Sequence, residues 1–339
     1  MNGVRSPLSM GALVLFGVLG AASPIQAQDA AAVPNTVEGL QSAAKSAAGL
    51  EFPGLFLRLC VPPPPTSGGR GGRGSGPPPR ESWYAEPAKI GDNFYFLGER
   101  AHNSYALVAS TGEIIIIDAL FDYATPDEIV GGLVKLGLDP NEVRYVLIAH
   151  AHGDHDGGAR YLQETIPGVT IVYGQADWPA VEARTSPHAV RSGPENDGTD
   201  GRVVSVGDGD VSVQIVSMPG HTAGTLSFLF EFRDHGEPIR VAYSGGTAIS
   251  FTNPDPTYYD GYIASATKFM DAAAAYGAVA IMSNHTEFDN GYFRAHAAAA
   301  RTSSDVPNPY VIGPENVLDY FRVTRYCAMA AKLRATGEL

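Results

Sequence analysis

The sequence predicts an α/β fold in which two β-sheets pack face to face and helices cover them. Short apolar strand patterns occur in two groups, over residues 94–173 and 203–243, and helical patterns accompany each group. Of the 339 residues, 44% are apolar and only 17% are charged. Most of the chain should therefore fold around a sizeable core.

The first group of predicted strands is interrupted by one well-marked helix. Thr125, Pro126 and Glu128 have the spacing of a capping box, and Gly137 is a typical end for the helix that they begin. The run at 113–117 is continuous and rich in isoleucine, as expected for a buried strand. Strands are predicted at 94–97, 105–109, 113–117, 143–149 and 169–173, and further helices at 157–165 and 176–184.

The second group consists mainly of strands, and helices follow it. A loop is predicted between the two groups, at 185–201. The two groups would supply one sheet each. Strands are predicted at 211–216, 225–232 and 239–243, and helices at 264–276, 292–303 and 314–336.

The N-terminal part of the chain has a different composition. Arg5, an apolar run at 10–22 and a small-residue end at Ala27 predict a cleaved signal peptide and a periplasmic or secreted protein. An uncleaved anchor is the alternative, although the run is shorter than the roughly 20 residues that span a bilayer. The segment at 61–80 is rich in proline and glycine and predicts an extended linker, preceded by one helix near 37–50.

These patterns divide the chain into four predicted parts. Because the strands begin after Trp83, the catalytic domain is expected to start there. The parts are a signal peptide at 1–27, a leader and Pro/Gly-rich linker at 28–82, a catalytic domain at 83–304, and a C-terminal helical extension at 305–339 that packs on it.

Charge and cysteine content exclude several classes of protein. With 23 basic and 36 acidic residues the net charge is −13, which argues against binding to nucleic acid or to an anionic membrane surface. No membrane span is expected after cleavage, and the oligomeric state stays open. Cys60 and Cys327 are too few for a disulfide-dense scaffold or a cysteine-rich zinc module. They can form at most one bridge, which the sequence alone does not decide.

One short segment is dense in metal-ligand residues. His150, His152, Asp154 and His155 lie within six residues, directly after the predicted strand at 143–149. Residues i and i+2 of an extended segment share a face, so His150 and His152 can hold one ion together. Asp154 and His155 can face a second ion. Imidazole and carboxylate ligands without thiolate suit Zn²⁺, with iron or manganese as alternatives.

Two further histidines follow apolar runs at loop entrances. His221 lies in a Pro-Gly-His-Thr segment after the strand at 211–216, and His285 follows the apolar run that begins at Ala278. A site at the edge of a sheet requires this placement. His102 is left open as either a pocket-lining or a surface residue.

Together these residues resemble the metallo-β-lactamase superfamily over about residues 83–300. The resemblance implies an αββα sandwich with a dinuclear metal site at one edge of the sheets. It also implies a structural aspartate at Asp118, behind the metal-binding loops. By motif, the first metal takes His150, His152 and His221, and the second takes Asp154, His155 and His285.

One departure from the family pattern indicates which subclass the chain resembles. Most of the superfamily hydrolases place a bridging aspartate after the strand at 239–243, where this chain has Ser244, Gly245 and Gly246. The third subclass of zinc β-lactamases also has no such residue, and its second site is Asp/His/His.

The resemblance then implies an exported hydrolase with two Zn²⁺ ions per chain. The small-molecule substrate would be a cyclic amide, with a β-lactam as the first candidate. Metal-bound hydroxide would open the ring, and Asp154 would orient this hydroxide and accept its proton. A lactonase or arylesterase of the same superfamily is the alternative. A non-catalytic metal-binding protein is the alternative of another class.

Overall fold

The computed structural model describes Met1, residues 33–63 and 76–184, Val190, Gly193 and residues 196–339. The predicted signal peptide beyond Met1, and most of the predicted linker, lie outside the described residues. The contacts divide the chain into two units, Met1–Val33 and Pro34–Leu339. Every helix and strand that the structure describes belongs to the second unit.

The first sheet has seven strands along the described part of the chain, in the order β1 to β7. The neighbours from β1 to β4 are antiparallel, and those from β4 to β7 are parallel. The strands are β1 Ala88–Lys89, β2 Phe94–Phe96, β3 Tyr105–Val108, β4 Ile114–Ile117, β5 Val143–Leu147, β6 Thr170–Gly174 and β7 Asp197–Gly198.

The second sheet has five strands in the described residues, in the order β12-β11-β10-β9-β8. Its strands are antiparallel except for β11 and β12, which are parallel and pair Ser244 with Ser283. The strands are β8 Val203–Val206, β9 Val211–Ser217, β10 Leu226–Asp234, β11 Glu237–Ser244 and β12 Ala280–Ser283.

Helices cover the outer face of each sheet. Against the first sheet lie α4 Gly131–Lys135, α6 Ala159–Thr165 and α7 Trp178–Glu182. Against the second lie α1 Val37–Ala48, α2 Pro53–Cys60, α8 Pro256–Tyr276 and α11 Pro314–Thr336. Short helices α3 Arg80–Trp83, α5 Gly153–Asp156, α9 Thr286–Asp289 and α10 Gly291–Ala299 complete the fold.

The main core lies between the two sheets. Ile115 and Ile117 of β4 face Phe228 and Phe230 of β10 in one buried cluster, whereas Ile114 and Ile116 face the helices on the other side. Strand side chains alternate between faces, so a strand that is buried on both faces is apolar at every position. The predicted sandwich of two sheets covered by helices is confirmed.

The capping box predicted at Thr125 is wrong. Thr125 has helical backbone angles, and its hydroxyl donates to the carbonyl oxygens of Ala119 (2.6 Å) and Phe121 (2.8 Å) instead of accepting from the helix. Glu128 is buried, and its carboxyl oxygen Oε1 accepts the backbone N–H of Ala85 at 2.8 Å. The chain forms one π-helical turn, Pro126–Val130, before α4. Both side chains are used for tertiary contacts, which local sequence does not reveal.

The segment predicted as a leader contains two helices rather than one. Helices α1 and α2 share a buried cluster with α11, to which Phe52, Leu55 and Tyr320 belong. A disulfide joins Cys60 at the end of α2 to Cys327 in α11. The predicted domain boundaries stay a prediction. Among the described residues, no helix is long and apolar enough to cross a membrane.

Candidate metal centre

Loops from both sheets meet at one edge of the sandwich. The loop after β5 carries His150, His152, Asp154 and His155 and begins where the Ala149 carbonyl accepts the N–H of Leu226, at 2.7 Å, from the second sheet. The loops after β9 and β12 carry His221 and His285. The sequence-predicted ligands are thus brought together from segments that lie up to 135 residues apart (285 − 150).

Three histidines form the first group. The ring nitrogens Nδ1 of His150 and His221 each lie 2.8 Å from a backbone carbonyl, of Gly245 and Ala248 respectively. A carbonyl only accepts, so each Nδ1 carries the proton and each Nε2 keeps a lone pair. His221 Nε2 lies 3.1 Å from Nδ1 of His152, and all three ligand atoms lie within 4.8 Å of one another.

This first group fits a divalent cation. His150 is 1% exposed, and its Nε2 has no hydrogen-bond partner among the described residues. Burial lowers the pKa of His150 well below its ordinary value and that of His221 to about 4. Both imidazoles are therefore neutral at physiological pH, which is the form that binds metal. A buried lone pair with no donor facing it is satisfied by a cation.

Asp154, His155 and His285 form the second group. Oδ2 of Asp154 lies 3.3 Å from Nε2 of His155 and 3.5 Å from Nε2 of His285, and the two Nε2 atoms are 3.0 Å apart. Ligand atoms about 2 Å from a tetrahedral zinc ion lie about 3.3 Å from one another. The spacing of this group therefore also fits one metal ion.

Asp118 lies directly behind His155. Its Oδ2 is 3.2 Å from His155 Nδ1 and accepts the hydroxyl of Tyr243 at 3.0 Å, while Oδ1 accepts the N–H of Ala149 at 2.7 Å. Burial of His155 favours its neutral form, but Asp118 and Asp154 outweigh burial and raise its pKa to about 10. The two carboxylates thus favour a positive charge at this position, whether a proton or a metal ion.

Asp118 has φ +63°, in the left-handed region where a residue other than glycine is uncommon. Leu120 shares this conformation with φ +59°. The chain is held in a costly conformation at the point where Asp118 contacts the loop that carries His150 to His155. Such outliers concentrate at functional sites.

Asp177, which the sequence does not single out, joins two of the loops that carry candidate ligands. Its Oδ2 accepts the N–H of Ala151 and the hydroxyl of Thr222, both at 2.9 Å, and its Oδ1 accepts the N–H of Gly224 at 2.8 Å. It therefore holds the loop of His152 against the loop of His221. Only its position before α7 is visible in the sequence, and that position does not reveal the partners.

His102 also lies at the second group, and the sequence analysis left its role open. Its Nε2 is 3.8 Å from Oδ2 of Asp154, and the ligand atoms of His102, Asp154 and His285 lie within 4.8 Å of one another. His102 comes from the loop between β2 and β3, where no ligand pattern occurs in the sequence.

Comparisons with known proteins agree with this geometry. Residues 97–235 match the family model of the metallo-beta-lactamase superfamily. Over these residues the chain resembles this superfamily, and its two groups of metal-ligand residues fit the match. Among curated superfamily relatives, it is 32% identical over 156 residues to a hydroxyacylglutathione hydrolase of Xanthomonas axonopodis pv. citri. That match covers 46% of this chain and 52% of the relative, so the chain spans about half the length of the curated relatives that it matches first.

Solved structures of superfamily members share the fold over most of their length. A subclass B3 metallo-beta-lactamase of Bradyrhizobium japonicum has a TM-score of 0.55 at 23% identity, covering 70% of this chain and 89% of that one. A mutant of the metallo-beta-lactamase from Legionella gormanii has a TM-score of 0.61 at 18% identity, covering 74% and 96%. At these identities the likeness is one of fold.

The place of the superfamily's bridging aspartate is filled by backbone. A Cβ atom on Gly245 would lie 1.8 Å from the carbonyl oxygen of Leu226, and one on Gly246 would lie 2.6 Å from the side chain of Thr225. Neither position can carry a carboxylate without moving its neighbours. The Gly245 carbonyl instead accepts from His150, so this segment orients a ligand and does not supply one.

A cleft of about 740 Å³ opens beside the second group. Asp154, His102 and His285 lie along it, and Phe121 and Phe293 add apolar surface. Two arginines, Arg58 from α2 and Arg100 from the β2–β3 loop, also line it. The cleft can therefore hold a small molecule that has an apolar part and an anionic group.

Proposed function

We propose that this protein is a dinuclear zinc hydrolase of the superfamily that opens a cyclic amide, with a β-lactam as the first candidate substrate. The first ion would be held by His150, His152 and His221, and the second by Asp154, His155 and His285. Zinc in such a site supplies the Lewis acidity that activates water at neutral pH and polarises a carbonyl group. Nitrogen and oxygen ligands without thiolate are consistent with this metal.

The side chains of the site have distinct tasks in this proposal. Burial disfavours the ionised form of Asp154, but the neighbouring imidazoles, His155 first, outweigh burial and hold the pKa of its carboxyl well below the usual range. Asp154 is therefore ionised and can accept a hydrogen bond from the attacking water, which orients that water. Arg58 and Arg100 would bind a carboxylate of the substrate.

One observation carries the choice of substrate. The second group has a single carboxylate, because backbone fills the place of the bridging aspartate at Gly245 and Gly246. Such a centre is poor in ligand negative charge and favours a substrate that brings its own carboxylate, as β-lactams do. The two metallo-beta-lactamase structures that share the fold, one of them of subclass B3, support the same choice.

The relatives found by sequence support a second candidate. Several curated relatives are hydroxyacylglutathione hydrolases, and hydrolysis of such a thioester would need the same two metal ions. Lactonase or arylesterase activity is the further alternative on this fold, and a non-catalytic metal-binding protein is the alternative of another class.

A substrate panel separates these candidates. The zinc-loaded protein would be assayed with nitrocefin, a hydroxyacylglutathione, a lactone and an aryl ester, and kcat/KM compared. We expect two equivalents of zinc by mass spectrometry and the highest kcat/KM for the β-lactam. A higher value for the thioester would establish the second candidate, and two zinc ions with no turnover of any substrate would favour the binding protein.

We also propose that the protein is exported. The signal-peptide pattern over residues 1–27 predicts export, and the disulfide between Cys60 and Cys327 is of the kind that persists in oxidising compartments. Intact-mass analysis of protein recovered from the periplasm or medium should find a chain that begins after Ala27. A full-length chain recovered from the cytoplasm would contradict export.

A further inference from the structure

We propose that His102 is a fourth protein ligand of the second metal ion, alongside Asp154, His155 and His285, and that Glu99 orients it. This inference rests on the proposed function, because it requires two metal ions. It adds a ligand from the β2–β3 loop. This loop lies outside the motif that runs from His150 to His155, and His102 is not among the ligands that the sequence predicts.

The backbone fixes His102 beside a ligand. The N–H of Asn103 donates to the carbonyl of Asn284 at 2.9 Å, and the N–H of Thr286 donates to the carbonyl of Ala101 at 3.0 Å. These two bonds make one antiparallel bridge that pairs His102 with His285. The pairing of the two backbones, and not only the side-chain rotamers, therefore makes the two histidines neighbours.

The turn that carries His102 is equally constrained. The N–H of Glu99 donates to the His102 carbonyl at 2.8 Å. A Cβ atom on Gly98 would lie 2.6 Å from that same carbonyl oxygen, so glycine is needed for the close approach. The backbone on both sides of His102 is therefore held in place.

Glu99 sets the orientation of the imidazole. Its side chain is 1% exposed, and its Oε2 lies 2.7 Å from Nδ1 of His102. The carboxylate accepts the Nδ1 proton, which leaves the lone pair on Nε2, the atom that faces Asp154. A ring N–H donated to a carboxylate or carbonyl is the usual support of a metal-binding histidine. Phe121 packs against the edge of the ring, with ring centres 5.1 Å apart.

The same arrangement occurs on the other side of the second group. Asp118 lies behind His155 at 3.2 Å as Glu99 lies behind His102. The group would then consist of one carboxylate ligand, Asp154, and three histidines. Two of these, His102 and His155, have a buried carboxylate beside Nδ1 of the ring. These two carboxylates add negative charge near an ion that has only one charged ligand, which stabilises the bound cation.

The spacing allows direct ligation. His102 Nε2 lies 3.8 Å from Asp154 Oδ2, slightly more than the roughly 3.3 Å between ligand atoms of a tetrahedral zinc site. Four protein ligands fill the number that zinc takes in its closed sites, whereas three histidines leave one position open.

Zinc affinity of variants tests this inference without any substrate. The second equivalent of zinc would be titrated against a chromophoric chelator for the wild type, His102→Ala, Glu99→Gln and a control. His235→Asn is the control, because His235 is exposed in the β10–β11 turn, at the end of β11 opposite Ser244. Circular dichroism would verify that each variant folds.

We expect His102→Ala to weaken binding of the second zinc ion by about a hundredfold or more, with the first unchanged. Glu99→Gln should weaken it by about tenfold, because the amide oxygen still accepts the Nδ1 proton but the charge is lost. The Co²⁺-substituted His102→Ala protein should also show altered visible absorption for the second ion. Wild-type affinity and spectrum in His102→Ala would overturn the inference alone. Fewer than two zinc equivalents in the wild type would overturn it together with the proposed function.

Discussion

His150 and His221 of the first group are each locked in one tautomer, because Nδ1 of each ring contacts a backbone carbonyl. The carbonyls of Gly245 and Ala248 accept from His150 and His221, so the metal-facing nitrogen of each ring is fixed before any ion binds. The cost of orienting these ligands is thus met on folding. A centre built in this way should bind metal tightly and in one geometry.

Asp154 is the residue on which the proposed chemistry depends most. Asp154→Asn keeps the size of the side chain but removes its charge, so we expect kcat/KM for the best substrate to fall about a hundredfold or more, on the order of 3 kcal/mol in the barrier. His235→Asn serves as the matched surface control. A wild-type rate in Asp154→Asn would contradict the role of this carboxylate in turnover.

Helix α2 joins the N-terminal part of the fold to the cleft. It packs with α1 and α11 in one apolar cluster and carries Arg58, whose Nε lies 2.9 Å from Oε1 of Glu287. This ion pair is exposed and contributes little to stability. The ion pair instead determines where Arg58 lies. Glu287 follows the segment that carries His285 and holds Arg58 at the mouth of the cleft.

Substitution of Arg58 tests whether the cleft binds an anionic group. We expect Arg58→Gln to raise KM about tenfold for a carboxylate-bearing substrate and to leave kcat nearly unchanged, because the lost contact is made equally in ground and transition states. Arg240→Gln, at an exposed ion pair with Glu231 on the second sheet, is the control. An equal KM for both variants would argue that the carboxylate binds elsewhere, with Arg100 the next residue to test.

The disulfide between Cys60 and Cys327 closes the chain over a sequence separation of 267 residues. A bridge over so long a loop lowers the conformational entropy of the unfolded chain. Replacing both cysteines with serine should therefore lower the free energy of unfolding by about 2–4 kcal/mol. Urea denaturation at fixed zinc concentration would measure this, and an unchanged midpoint would mean that the packing of α2 on α11 is sufficient without the bond.

Buried carboxyl groups should make the stability of the folded chain depend on pH. Burial raises the pKa of Glu128 to about 8, against the opposing effect of the Ala85 N–H. Between about pH 4.5 and 8 the folded state then holds a proton that the unfolded state has released. The stabilising contribution is complete at low pH and is lost as pH rises through this range.

Glu128→Gln isolates this effect, because glutamine keeps an oxygen that can accept from Ala85. The unfolding free energy of the wild type should fall relative to that of the variant as pH rises from 5 to 8, by up to about 1.4 kcal/mol per pH unit. Denaturant titrations at several pH values give this difference directly, and metal-dependent changes cancel between the two proteins. A difference that is independent of pH would show that Glu128 is ionised throughout this range, and a wild type that gains stability relative to the variant as pH rises would show that its pKa is lowered instead.

The sequence was sufficient for features that depend on local pattern. The continuous apolar run Ile114–Ile117 is a strand as predicted, because a strand that is buried on both faces is apolar at every position. The mainly apolar segment Val143–Leu147 is also a strand as predicted. The spacing from His150 to His155 identified two pairs of potential ligands, since backbone periodicity alone determines which side chains share a face. His221 and His285 were selected as candidate ligands because binding sites form where strands end.

Only the tertiary structure could decide which side chains act over long distances in the sequence. Asp177 joins the loops of His152 and His221, Glu128 accepts from Ala85 instead of capping a helix, and His102 meets His285 across one β-bridge. No local pattern reveals these partners, because a contact between segments that are distant in the sequence leaves no trace in local spacing. The pairing of Cys60 with Cys327 was likewise open until α2 was found against α11. Periodicity determines elements, whereas the partners of a polar side chain depend on how those elements pack.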